Sequence, residues 1–202
     1  RKIITFDISD TDNLHEKMFR KLSLDEPKRD QNKRLTEQIV QKLVVLLNVE
    51  NSTALDICHD ATFTMSRTER IRNMTDKEGR HLFSPRLAEG GISLTIDGAT
   101  LLHSLRKEKI PLGFPDDDFG FCPGKGPAWI VVTDDAVPFI KQGRNVMHGF
   151  VEGVDKWLRP NENVLIVDTN GNLVGFGRSN STVSEMASST KGIAVKTREG
   201  IR

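Results

Sequence analysis

Read from the N-terminus, the apolar positions of this chain change period along its length, and each change predicts an element. Ile3–Asp7 is a short apolar run that reads as a strand, followed by Asp-, Ser- and Asn-rich turn chemistry. Leu14–Leu24 reads as a short amphipathic helix. It closes at Glu26-Pro27, because proline pushes the residue before it out of helical conformation. From Lys33 to Asn48 apolar side chains fall at Leu35, Ile39, Leu43, Val44, Leu46 and Leu47, a helical spacing that ends in a nearly all-apolar turn. That helix is expected to be buried over most of one side, and Asn48–Thr53 is the polar break after it. Arg67–Thr95 returns to a strand pattern with turns at Lys77-Glu78-Gly79 and Glu89-Gly90-Gly91. Ile92, Leu94 and Ile96 alternate with Ser93 and Thr95 as a half-buried strand. Gly98–Lys109 then reads as a helix with Ala99, Leu102 and Leu105 inward, and Pro111–Pro127, rich in Pro, Gly and Asp, as a linker.

Beyond the linker the pattern becomes strand-rich. Apolar runs at Trp129–Val132, Asn163–Asp168, Leu173–Gly177 and Gly192–Lys196 are separated by two short helical patterns. The joint at Asn170-Gly171 predicts a hairpin with a type I′ turn, in which both central residues take positive φ. A helix opened by Asp134-Asp135 ends at Lys141-Gln142-Gly143, where Gly143 reads as a left-handed C-cap, and Arg144-Asn145-Val146 starts the next strand. Gly175 and Gly177 read as points of close backbone approach in a curved strand. Trp129, Phe139, Val146, Phe150, Val164 and Ile166 are the expected core. Trp157, beside Leu158, reads either as a lid or as an exposed contact. The sum is a small barrel with two helical plugs.

Composition narrows the chemistry. Two hundred and two residues, 37% hydrophobic, suffice for two compact units with modest cores. No run approaches the roughly 20 apolar residues that cross a bilayer, and no signal peptide is visible, so the chain reads as cytoplasmic. A net charge of +1 argues against a uniformly basic, non-specific nucleic-acid binder. The charge is unevenly spread, however: after Met186 only Glu199 opposes Lys191, Lys196, Arg198 and Arg202. Cys58 and Cys122 form at most one bridge and read as reduced thiols. The five histidines lack HExxH or paired metal spacing, and neither a Walker loop nor a nucleophile elbow is present, so no catalytic residue, metal or cofactor is assigned. The chain opens on Arg1-Lys2 rather than methionine, as a trimmed start or a domain cut from a longer chain would.

Several of these phrases occur together in known families. Leu158-Arg159-Pro160-Asn161-Glu162-Asn163-Val164, then Val167-Asp168, Gly171, Leu173, Gly175, Gly177-Arg178, and finally Glu185-Met186 and Lys191-Gly192-Ile193-Ala194-Val195-Lys196, resemble a PUA domain, a module that binds structured RNA. Upstream, Arg70-Ile71-Arg72-Asn73, Leu82-Phe83, Arg86, Gly91, Leu94, Asp97-Gly98-Ala99 and Leu102-His103 resemble the domain that precedes PUA in archaeal tRNA-guanine transglycosylases and archaeosine synthases. Residues Leu55–Thr64 fall where that family has the end of an earlier module.

Pattern and resemblance together give an α+β protein: the helical patterns make a mostly helical N-terminal region (residues 1–54), and the resemblance implies a small α+β pre-PUA domain with linker (55–125) and a C-terminal PUA β-barrel (126–202). It implies RNA contacts at Lys141, Gly143, Arg144, Asn145, Arg178, Lys191 and Gly192, with tRNA or another structured RNA as partner and helix shape rather than sequence as the feature read. A surface arginine after a helix cap is the plain alternative for Arg144. The transglycosylase barrel of about 250 residues has no room here, which points to a binding portion whose parent chain or catalytic subunit does the chemistry. The pathway implied is conversion of guanosine to archaeosine in tRNA. A non-enzymatic ribosome-biogenesis or translation factor is the alternative, and a free-standing enzyme with its site in residues 1–66 is a third. Self-association stays open.

Overall fold

The computed structural model describes residues 31–86, 90–106, 110–115 and 124–201, and of Gln31 and Asn32 only the backbone. The expected strand Ile3–Asp7 and helix Leu14–Leu24 lie outside the described residues, as do Glu89, Lys107–Lys109, Cys122 and the middle of the expected linker. The chain divides into two compact units, residues 1–35 and 36–202. All strands named below belong to the second.

Helix α1 (Gln31–Leu47) turns Ile39, Val40, Leu43 and Leu47 inward at helical spacing. Its apolar last turn is only partly covered: Val45, on the opposite side, is 71% exposed. Helix α2 (Asn51–His59) buries Ala54 and Cys58, four residues apart on one face. Burial pushes the Cys58 thiol up to about 12. Strands β1 (Thr62–Met65), β2 (Ile71–Thr75), β3 (His81–Pro85) and β4 (Ile92–Leu94) form an antiparallel meander in that order. Phe63, Met74, Phe83 and Leu94 are cross-strand partners, so one inward row runs through all four strands.

The strand expected through Ile96 stops at Leu94, and helix α3 (Ile96–Leu105) begins before Gly98 rather than at it. Thr95 makes the difference: its hydroxyl accepts the Gly98 N–H at 3.2 Å as an N-cap and donates to the His81 carbonyl. Gly98 is therefore interior to the helix. A Cβ there would sit 2.2 Å from the Leu82 carbonyl oxygen, so glycine lets α3 lie against β3.

The C-terminal region contains β5 (Ala128–Val132), α4 (Val137–Lys141), β6 (Val146–Met147), a 3₁₀ turn (His148–Phe150), β7 (Val151–Val154), β8 (Asn163–Val167), β9 (Leu173–Ser179), α5 (Val183–Ser188) and β10 (Ile193–Gly200). The strands form one barrel-like sheet of order β6-β10-β9-β8-β5-β7, with β5–β8 parallel and the other pairs antiparallel. Its core gathers Ile130, Val132, Ile140, Val146, Val164, Ile166, Val174, Met186 and Val195. Gly177 bears out its expected role, since a Cβ would meet the Lys196 carbonyl oxygen at 2.4 Å.

Three expectations are corrected. Phe139 is 58% exposed and Phe150 38% exposed, although both were expected in the core. A five-residue helix can turn only one side inward, and α4 gives that side to Ile140. The β8–β9 hairpin forms, but not by a type I′ turn: of its two central residues only Gly171 has positive φ. Asp168 instead accepts the Asn170 and Asn172 N–H groups at 2.9 and 2.8 Å, and a three-residue loop closes with Gly171 in the left-handed position. The expected linker is tied down where it is described: Gly113 pairs with Gly153, and Lys125 with Val49.

Candidate nucleic-acid interface

Helix α4 and strand β6 build the exposed shoulder of the C-terminal sheet. The helix ends in a Schellman arrangement, with Gly143 N–H donating to the Ile140 carbonyl at 2.8 Å and Arg144 N–H to the Phe139 carbonyl at 3.1 Å. Gly143 sits at φ +83°, as its left-handed reading requires, and nothing lies within 4 Å of where a Cβ would be. Conformation rather than crowding demands glycine there, and the space above it is open. Lys141, Gly143, Arg144 and Asn145 are all exposed. Asn145 spends its side-chain carbonyl on the Thr197 N–H at 3.1 Å, which ties this corner to β10.

The antiparallel β6–β10 pairing, Val146 with Val195 and Met147 with Ile193, sets the second group of residues at the other end of the ladder. There Lys191 and Gly192 are exposed, and His148 holds their turn. The His148 N–H donates to the Gly192 carbonyl at 3.0 Å, and its Nδ1–H to the Lys191 carbonyl at 2.7 Å. Its Nε2 meets the Ser181 hydroxyl at 2.9 Å, with both side chains buried. A carbonyl only accepts, so Nδ1 carries the proton. Arg178, half-buried on β9, lies across from the exposed Lys196. The seven residues expected from the sequence are thus arranged as Lys141 to Asn145 at one end of β6, Lys191 and Gly192 at the other, and Arg178 beyond β10.

Several functional candidates escaped the sequence reading. Lys196 carries a charge outward beside Arg178, and the alternation of Val195 and Lys196 was the signal for it. Phe139, Met147 and Phe150 are exposed on or beside α4 and β6. No sequence signal separates these from core residues. His148 was equally hidden, because Ser181 and Lys191 are 33 and 43 residues away. The face therefore offers ammonium and guanidinium groups for phosphates together with apolar rings for bases or riboses. Behind it, helix α5 opens with a capping box: the Thr182 N–H and hydroxyl hold the Glu185 carboxyl below the usual glutamate range. Among the described residues no group of three or more His, Cys, Asp or Glu is placed to hold a metal ion, and no helix is long and apolar enough to cross a membrane.

This geometry has relatives. Residues 128–201 match the PUA domain family, and residues 52–109 match the patch-forming domain C2 of tRNA-guanine transglycosylase. Among curated proteins the chain is similar to the tRNA-guanine(15) transglycosylase of Thermococcus onnurineus, 32% identical over 142 residues that make up 70% of this chain and 22% of the relative. The enzyme of the same name from Pyrococcus furiosus is 33% identical, over 70% of this chain and 21% of the relative. The chain thus spans about a fifth of the length of the curated relatives it matches. Among solved structures, a hypothetical protein of Pyrococcus horikoshii OT3 superimposes with a TM-score of 0.57 at 18% identity, covering 84% of this chain and 92% of that one. A conserved PUA domain protein from Thermoplasma acidophilum gives 0.50 at 14% identity, covering 86% and 91%. The α+β fold, the resemblance to the PUA domain and the resemblance to the transglycosylase domain before it all stand.

Proposed function

We propose that this chain, a transglycosylase-type C2 domain followed by a PUA domain, binds structured RNA, tRNA foremost, and serves the modification of guanosine to archaeosine in an archaeal cytoplasm. It acts there as a subunit, or as the C-terminal part, of a transglycosylase or archaeosine synthase. One observation carries the reading: the two domain types occur in the order found in the tRNA-guanine(15) transglycosylases, and the PUA half presents an open, cationic shoulder at Gly143.

On this reading Lys141, Arg144 and Lys191 contact phosphates, with Arg178 adding charge farther along the sheet. Gly143 and Gly192, lacking side chains, let the ribose-phosphate backbone come close, and Asn145 braces the corner. Charge-assisted hydrogen bonds to phosphate fix position without reading sequence. Side chains cannot enter the narrow major groove of an A-form stem, so shape and backbone are what this face recognises.

Binding of tRNAs of different sequence, followed by fluorescence anisotropy across a salt series, tests this. Arg144→Ala should weaken all of them by similar factors and lower the magnitude of the salt slope by roughly 1. A slope unmoved by Arg144→Ala, Arg178→Ala and Lys191→Ala alike would rule this face out.

A second reading, a non-enzymatic translation or ribosome-biogenesis factor, is favoured by one fold-level fact. The fold shared with this chain covers 92% of the Pyrococcus horikoshii chain. Sequencing of the RNA that co-purifies separates the two, since ribosomal RNA enriched over tRNA supports the second.

A further inference from the structure

The last turn of α3 is fastened to the PUA sheet by contacts of unusual directionality. Arg106 forms a bidentate pair with Asp155, through Nη1 to Oδ2 and through Nη2 to Oδ1 at 2.8 Å, and both side chains are only 4% exposed. The Asp155 carboxylate also accepts the Trp129 N–H at 2.7 Å, so both of its oxygens are engaged. The guanidinium carbon lies 4.3 Å from the Trp129 ring centre and 5.4 Å from that of Trp157, which makes Trp157 the half-buried lid of this joint. One turn earlier, His103 stacks on Trp129 at 4.9 Å and 14° and donates from Nε2 to the Gly171 carbonyl at 2.8 Å.

This is not how a joint built for stability alone would look. Replacing a buried ion pair by apolar groups of like volume is often neutral or stabilising. Here, in addition, Arg106 Nε and Trp157 Nε1 are buried with no hydrogen-bond partner, an unrecovered desolvation cost. What a planar, bidentate and stacked guanidinium does supply is angular definition. Apolar surfaces slide with little penalty, whereas a fork between two carboxylate oxygens and two indole faces accepts one pose. Domains within a chain otherwise move relative to one another unless their interface is large and hydrophobic.

We infer that His103 and Arg106 are positioning residues that lock the C2 domain onto the PUA domain in one orientation, so that an RNA touching both domains is held at two surfaces of fixed spacing. The RNA half of this inference rests on the proposed function; the lock does not. The second surface is on the C2 sheet, where Arg67, Arg70 and Arg72 are exposed around β2. Two linked contacts reinforce each other only while their geometry permits simultaneous engagement. Loosening the joint should therefore penalise long RNAs and spare short ones.

The test uses the full chain with His103→Ala and Arg106→Leu combined, and Arg106→Lys, which keeps the charge but loses the fork, as the conservative partner. Residual dipolar couplings and small-angle scattering report the spread of inter-domain orientations. Anisotropy reports affinity for an intact tRNA and for a short stem-loop. The expected result is a broadened orientation distribution with unchanged amide spectra inside each domain. Affinity for tRNA should fall about 10-fold or more while affinity for the stem-loop stays within about 2-fold, and Arg106→Lys should fall between. An orientation distribution like that of the unsubstituted chain overturns the lock. A broadened distribution with unchanged tRNA affinity overturns its role in presenting RNA. If the double variant unfolds, Arg106→Lys and Asp155→Asn decide by the same two readouts. If the unsubstituted chain binds neither RNA, the proposed function falls, and the orientation measurement still decides the lock.

Discussion

The two sheets of this protein bury themselves differently. In the PUA region β5 is buried at every position, and four of the five residues of β8 are buried. The sheet curls around its own apolar centre with α4 and α5 as plugs. In the C2 region the burial along β1 alternates between exposed and half-buried. There the row Phe63, Met74, Phe83 and Leu94 turns inward, while polar side chains of the same sheet bond to each other: Ser84 to Asn73 at 3.1 Å, His81 to Ser84 at 2.9 Å and Arg86 to Ser93 at 2.6 Å. A barrel-like sheet supplies its own core. The four-stranded C2 sheet borrows cover from α3, whose end is seated on the PUA domain.

The largest test of that contrast is to cut the chain. Residues 126–202 alone should unfold in one cooperative urea transition, whereas residues 36–125 alone should give a broad, low transition, because α3 loses the whole PUA surface on which its end is seated. A sharp transition for the C2 fragment would show that the borrowed cover is dispensable. Affinity for a short stem-loop should follow the PUA fragment, as its cationic face lies wholly within it, whereas affinity for intact tRNA should fall with the loss of the C2 surface.

Asp155→Ala comes next. It leaves Arg106 charged, buried and unpaired and exposes the Trp129 N–H, so a loss of about 3–5 kcal/mol is expected from chemical denaturation. Removing Arg106 and Asp155 together, in favour of leucines, should recover most of it. A single variant as stable as the parent would mean that the joint is wet and weak.

Gly143 isolates the site from the fold. Valine at φ +83° is disfavoured by about 1–2 kcal/mol, with no clash to add. Asparagine tolerates the left-handed region and should cost less. Both place a side chain in the open space above the cap, so both should weaken RNA binding although only valine costs much stability. Parallel losses of stability and affinity would reduce Gly143 to a cap alone.

The smallest effect is expected at Glu185. Its folded-state pKa is depressed by the Thr182 N–H and hydroxyl, so its stabilisation is present above the unfolded value and is lost as pH falls through the folded one. Thermal melts between neutral and acid pH should show Glu185→Gln flattening the decline below the ordinary glutamate pKa, with little change at pH 7. An unchanged profile would remove the capping box from the acid response.

Much of the fold was legible because it is local. The apolar runs of β5, β8 and β9 announce buried strands, and Gly143 after a short helix announces a left-handed cap. Where the reading failed, a competing local interaction won. Thr95 capped a helix that the alternation of Ile92, Leu94 and Ile96 continued as strand, and the Asp168 carboxylate organised a hairpin loop that Asn170-Gly171 alone would have closed more tightly. Phe139 was misplaced for another reason: apolar character says that burial is favourable, not that a five-residue helix has a side to spare.

By itself, then, the order of residues determined the element types, the PUA-like and C2-like phrases, and the basic excess after Met186. Only the tertiary structure decided that His148 fastens the Lys191 turn, that Lys196 flanks Arg178, and that Arg106 finds Asp155 across 49 residues. The physical reason is range. Propensity, capping and turn chemistry act within a few residues and can be read along the chain, whereas a bidentate pair between two indoles exists only after the domains have met, and nothing at either end of it names the other.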